Sequence, residues 1–274
     1  FPALVLRWCP RDTALASAVY MNGMLTGELV GAGVTLPVVM PLLDGSWRAS
    51  LVAWSLPAVA IAVAVLARGR NEERTLEARP RPHWQPPWRD PLLWQLGIVL
   101  GAASAGFFGA NAYLGSLLSA LGQTERLAEL LAWFNGTQVI GSLSMLLVAR
   151  GLVGRRWPFV LFSVSILSSL VGLFAGGAAW MLPSLLLLGL ATCIQLILAV
   201  SVVPELTDQH SAAPLASGMF MVGYLLGFVV PFIGGLVADA AEDATLAMVP
   251  LIVLALLAVA LSVRLPLSRQ GAQH

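Results

Sequence analysis

The chain has 274 residues, of which 58% are apolar and only 11% charged, with a net charge of +1. A soluble domain carries roughly 25% charged residues, so this composition excludes a water-soluble globular protein and makes the bilayer part of the solvent. The two cysteines, Cys9 and Cys193, stand far apart, one beside an Arg-rich loop and one in an apolar run, which argues against a disulfide framework.

In chain order, residues 1–6, FPALVL, read as the tail of an earlier helix ending at Arg7. The chain begins at Phe1, with no charged-then-apolar signal segment, and its natural start is expected to lie upstream. Eight apolar runs follow, over 13–39, 48–67, 91–119, 127–149, 158–176, 180–206, 214–239 and 244–263. About 20 apolar residues at 1.5 Å rise cross a ~30 Å hydrocarbon core. Backbone groups in lipid must pair within their own segment, so the runs predict helices. The alternating short strands of a membrane barrel are absent. The expected fold class is an all-α, polytopic membrane helix bundle of about eight spans.

The basic residues orient it. All fifteen are Arg. With the N-terminus in the cytoplasm, thirteen fall in inside segments and only Arg48 and Arg126 outside, a strong positive-inside signal. The reading is a multi-pass protein of the cell's inner membrane with both chain ends cytoplasmic. Between the second and third spans runs ARGRNEERTLEARPRPHWQPPWRDP, residues 67–91, with five Pro and six Arg. It reads as a linker held at headgroup level by Trp84 and Trp88; the alternative is a patch for nucleic acid or anionic lipid. No nucleic-acid partner is expected.

One stretch occurs twice. LASAVYMNGMLTG (15–27) and LASGMFMVGYLLG (215–227) align without a gap at seven identical positions. The first span therefore matches the seventh, and LPAVAIAVAVLA from Leu56 matches VPLIVLALLAVA from Val249 more loosely. Six spans repeated in one orientation is the plan of two halves related by an axis along the membrane normal. Residues 1–67 then read as the remnant of an N-terminal bundle, 68–90 as a cytoplasmic linker, and 91–274 as a complete six-helix C-terminal bundle. About four helices are expected before Phe1, by extrapolation of the repeat.

RDPLLWQLGIVLG (89–101), LASGMFMVGYLLGFVVPFIGGLVAD (215–239), PRDTALASAVYMNG (10–23) and DGSWRASLVAWSLPAV (44–59) carry a resemblance. The chain resembles the major facilitator superfamily, as its last eight helices of twelve, and within it the cyanate/2-nitroimidazole transporter branch. The resemblance covers essentially the whole chain. It implies a secondary active transporter of a small polar or anionic solute, working by alternating access, with proton coupling as a further expectation. The rival reading is a non-transporting membrane protein, a sensor or truncated pseudo-transporter. ARGLVGRRWP (149–158) is similar to the superfamily's loop signature, without its Asp. On that likeness Arg150, Arg155 and Arg156 are cytoplasmic gate candidates; otherwise they are ordinary positive-inside residues.

Within the spans, Glu28 is the ionisable residue nearest mid-bilayer, where charge is expensive and marks a pathway or a proton site. It is the proton-coupling candidate: protonated, facing a water-filled cavity, or paired with an upstream residue. Its repeat partner is Phe228. Side-chain amides at lipid depth face the bundle interior, which makes Asn22, Asn111, Asn135, Gln138 and Gln195 substrate-cavity candidates, together with Tyr113. The resemblance places the third and sixth spans against the central cavity and so favours Asn111, Tyr113 and Gln195; each is equally readable as interhelical glue. Gly23, Gly27 and Gly31, and Gly223 and Gly227, lie four apart and predict close helix packing. The three histidines form no metal-ligand spacing, and no phosphate loop occurs. No catalytic residue, metal or cofactor is expected; the partners are a small-molecule solute, lipid and protons.

Overall fold

The computed structural model describes Val5, Cys9 and residues 11–72, 85–208 and 210–267. Among these there is no strand. Eight long helices form: α1 (Thr13–Val34), α2 (Trp47–Glu72), α3 (Pro91–Ala120), α4 (Leu127–Leu152), α5 (Arg156–Ala175), α6 (Gly177–Ser201), α7 (Ala212–Ala241) and α8 (Met248–Arg264). Seven of them, α2 to α8, are long and apolar enough to cross a membrane. The protein is thus an integral, multi-pass membrane protein. α1 is 22 residues long, enough for the span at 1.5 Å per residue, but Asn22, Glu28 and four glycines dilute its apolar character.

Local chemistry sets the helix ends. Asp90 caps α3 by accepting the Leu92 N–H at 2.9 Å, and Pro91 follows at the position where its missing N–H costs nothing. Asp243 accepts the Thr245 N–H at 2.9 Å ahead of α8. Gly122 after α3 and Gly154 after α4 take φ of +66° and +80°, which only glycine adopts without strain.

The chain divides into two compact units, Gly23–Pro82 and the remainder, Phe1–Asn22 with His83–His274. α1 is shared between them. In the smaller unit α1 passes through a π-helical stretch, Thr35–Val39, into a turn with Asp44 and Gly45 at φ of 51° and 72°. The Trp54 indole N–H donates to the Thr35 hydroxyl at 2.9 Å, tying α2 to that stretch. α2 runs on to Glu72, five residues beyond the apolar run. Of the remaining linker, residues 73–84, Trp84 among them, lie outside the described residues.

In the larger unit, α3 packs chiefly on α7, and α4 on α6. Glycines make both seams. A Cβ on Gly97 would stand 2.8 Å from Val222 Cβ, and one on Gly101 2.9 Å from Leu226 Cβ; from the other side, Gly223 would meet Leu100 and Gly227 Ser104. The matched numbers rise together, so α3 and α7 run parallel. Gly189 meets Phe134 and Gly141 meets Leu190 and Ile194 in the same sense, so α4 and α6 are parallel too. Packing must hold these helices together, since lipid gives no hydrophobic drive.

The remaining principal pairs are α5 with α6, α5 with α8, α3 with α8 and α3 with α6. Exchanging α3 for α6, α4 for α7 and α5 for α8 maps this set onto itself and reverses chain direction. The larger unit therefore carries an inverted three-helix repeat, and a short match accompanies it: Leu100, Gly101, Ala103 and Ser104 of α3 correspond to Leu188, Gly189, Ala191 and Thr192 of α6, with Gly101 packed on α7 and Gly189 on α4.

The parallel repeat is helical in both copies, but its glycines differ in use. Gly223 and Gly227 are packed beneath α3, whereas a Cβ on Gly23, Gly27 or Gly31 would meet nothing within 4 Å among the described residues.

Candidate functional site

Three of the predicted cavity residues meet between α3 and α4. Asn111 lies nine residues before the end of α3, and Asn135 eight after the start of α4. At 1.5 Å per residue both sit about 12–14 Å below the connection between the helices, near the middle of a ~30 Å core. Gln138 Nε2 donates to Asn135 Oδ1 at 3.4 Å, and Asn135 Nδ2 donates to Asn111 Oδ1 at 3.4 Å. Each asparagine is also anchored to its own helix: Asn111 Nδ2 donates to the Phe107 carbonyl and Asn135 Nδ2 to the Leu131 carbonyl, both at 2.9 Å. The anchoring bonds have ordinary length and the bonds between amides are long and weak. The relay is thus held to its own helices by ordinary bonds and joined between amides by weak ones. All three side chains are half-buried.

Aromatic rings adjoin it. Phe107 lies 5.2 Å from Phe108 and 5.7 Å from Phe134, ring centre to ring centre, in tilted contacts that favour edge-to-face attraction. Phe134 is fully buried, while Phe108 is 41% exposed.

Tyr113 belongs to the same helix but to a different contact. Its hydroxyl donates to the Pro231 carbonyl of α7 at 2.7 Å. Beyond it α3 and α7 splay, leaving a cavity of about 320 Å³ lined by Tyr113, Ser116, Asp239, Glu242 and Asp243 among others. The Asp243 carboxyl is held below the ordinary carboxylate range by the Thr245 hydroxyl and N–H.

Gln195 stands apart from the relay. It is fully buried where α5, α6 and α8 meet, with Nε2 donating to the Ser163 hydroxyl at 3.2 Å. Ser163 in turn bonds the Ser262 hydroxyl at 2.8 Å. The Gln195 Oε1 has no protein donor among the described residues. Interhelical contact, rather than a cavity wall, is what the structure gives it.

Asn22 joins α1 to α4. Its Nδ2 donates to the Ser142 carbonyl and the Ala18 carbonyl, both at 2.9 Å, and Ser142 Oγ donates to its Oδ1 at 2.6 Å. The side chain of Glu28 lies outside the described residues. Of the gate candidates, Arg150 pairs with Asp12 at 3.0 Å; Arg155 is exposed in the α4–α5 connection and Arg156 at the first position of α5. Nearby, the Thr13 hydroxyl donates to Glu205. The start of α1 thus meets the ends of α4 and of the short helix after α6, which puts all three at one membrane face.

Sequence reasoning missed Ser142, Ser163, Ser262 and Asp12 as partners, because a lone serine in an apolar run carries no pattern. It also missed an aromatic row on α7. Phe220, Tyr224, Phe228 and Phe232 recur every four residues, with Phe220 stacked on Tyr224 at 5.8 Å and Phe228 on Phe232 at 6.2 Å. The spacing was visible, since i, i+4 residues share a helix face.

No protein-family model matches the chain. Over 271 residues it is 24% identical to the 2-nitroimidazole transporter of Escherichia coli (strain K12), an alignment taking in 93% of this chain. The chain spans 65% of the length of that relative.

Proposed function

We propose that the protein is the last eight helices of a twelve-helix secondary transporter of the major facilitator type, moving a small polar solute across the inner membrane by alternating access. The observation that carries the reading is the neutral amide relay of Asn111, Asn135 and Gln138 near mid-membrane, half-open beside aromatic rings. Such groups are costly in lipid unless they face a partner or a pathway. The similarity to a 2-nitroimidazole transporter supports the same reading and nominates a flat nitrogen heterocycle as cargo.

In this reading residues 91–274 form one bundle and residues 1–67 the end of the other. Both chain ends face the cytoplasm. The Arg150–Asp12 pair closes the cytoplasmic end, with Arg155 and Arg156 beside it, and opens as the bundles rock. Glu28 exchanges protons during the cycle.

The test has two arms. Flux of labelled 2-nitroimidazole is measured in cells carrying the chain with its upstream reading frame, and in cells carrying residues 1–274 alone. Flux in the first arm and none in the second is expected. No flux in either overturns transport of this cargo. Flux in the second overturns the idea that further helices complete the pathway.

A further inference from the structure

The relay has a property the transport reading does not require: among the described residues of the larger unit no charge lies near it. From Pro91 to Ala120 on α3 there is no ionisable residue other than Tyr113, and between Glu129 and Arg150 on α4 there is none. The hydroxyl of Tyr113 is engaged with Pro231. Glu129 stands six residues toward the start of α4, about 9 Å along the helix, more than half exposed and beside Arg126 at 3.8 Å. α5, α6 and α8 carry no charge within their spans, and on α7 Asp239 comes only near the far end.

A charged solute entering this site would lose its water and gain no counter-charge from these helices. A bare charge at mid-bilayer costs at least about 2.5–3.5 kcal/mol, whereas a neutral polar guest need only find replacement hydrogen bonds. The relay offers these in both senses. Its inter-amide bonds are long, at 3.4 Å, so an inserted guest displaces little. Asn135 Nδ2 and Gln138 Nε2 can turn their donors to an acceptor, and Gln138 Oε1, unbonded to any described protein donor, takes a donor. Phe108, three residues before Asn111 on α3, supplies an accessible apolar ring, 41% exposed.

Resting on the proposed transport site, we infer that the solute is bound there as an electrically neutral molecule carrying both a donor and an acceptor, and that anions are refused. This narrows the polar-or-anionic expectation to its neutral half.

A nitro group and a carboxylate have nearly the same shape and differ by one charge. 2-Nitroimidazole and pyrrole-2-carboxylate, whose ring nitrogen takes up no proton, are therefore titrated by calorimetry into the full chain in lipid nanodiscs, in mildly acidic buffer that keeps the nitro compound neutral and the carboxylate ionised. The nitro compound should bind about 50-fold or more tightly than the carboxylate. Gln138→Arg should narrow that ratio by about tenfold or reverse it, because it supplies the missing counter-charge. The ratio in the unsubstituted protein stands even where the variant fails to fold. Equal or tighter binding of the carboxylate overturns the inference and leaves solute transport standing, as does a folded Gln138→Arg protein with an unchanged ratio. Binding of neither probe removes the heterocyclic cargo and the inference together.

Discussion

Asn22 satisfies its amide completely, with two donors and one acceptor used between α1 and α4. Gln195 does not, since its buried Oε1 has no donor among the described residues. Opposite responses follow. A double-mutant cycle on Asn22 and Ser142 should show a coupling of about 0.6–1.7 kcal/mol, the range of interhelical bonds in membranes, read from unfolding in mixed micelles. Gln195→Met should leave the thermal midpoint unchanged or raised, because the lost bond to Ser163 is worth about 0.5–1.5 kcal/mol and the relieved acceptor about 1–3 kcal/mol. A large fall in that variant would show that the acceptor has a partner. Asp243 adds a pH response. A carboxylate held below its ordinary range stabilises the fold above its unfolded pKa, and that contribution is lost as pH falls through the folded value. Acidification below about pH 4 should therefore lower the midpoint, and by less in Asp243→Ala. An identical acid profile in the variant would count against the cap.

For the elements, the two uses of glycine make a direct comparison. Gly234 lies against backbone, where an added Cβ would stand 2.5 Å from the Ala247 carbonyl oxygen. Backbone cannot yield as a side chain does. Gly234→Ala should lose about 1–3 kcal/mol from overpacking, exceeding the ~1 kcal/mol that alanine gains in helix propensity. Gly23→Ala meets nothing within 4 Å and should be neutral or slightly stabilising in the same assay. Equal losses at both positions would mean that the Gly23 face is covered in the membrane. The Arg150–Asp12 pair is exposed on both sides, where such pairs give about 0–1 kcal/mol; Arg150→Ala should change the rate of opening more than the stability of the fold.

At the scale of the whole chain, orientation is the checkable quantity. Cys9 is exposed and Cys193 buried, so Cys9 should be the reactive thiol, modified by membrane-permeant reagents only; labelling of intact cells by an impermeant reagent would reverse the assigned orientation. Hydropathy and length made seven of the eight long helices, α2 to α8, readable as spans, because a chain in lipid has few other ways to satisfy its backbone. The relay was readable as residue types but not as a group. Asn111 and Asn135 are about equally far from the connection between their spans, so counting gives them one depth, but nothing in the sequence says which faces of α3 and α4 meet. Gln195 looked the same in sequence and packs elsewhere, since an apolar helix all round does not reveal which face its neighbours take. The inverted repeat left only a short match, Leu100, Gly101 and Ala103 against Leu188, Gly189 and Ala191, because packing conserves size and position more than identity.

The parallel seam of α3 and α7 also sets a timetable. Gly97 meets Val222, a residue synthesised 125 positions later, from 222 − 97. At about 5–20 residues per second, α3 is made roughly 6–25 s before its main partner emerges. During that interval its glycine face has only lipid or the insertion machinery against it. The bundle cannot close hairpin by hairpin as it leaves the ribosome; its central helices must wait in the membrane as separate spans, and assembly is decided at the end, when α7 arrives.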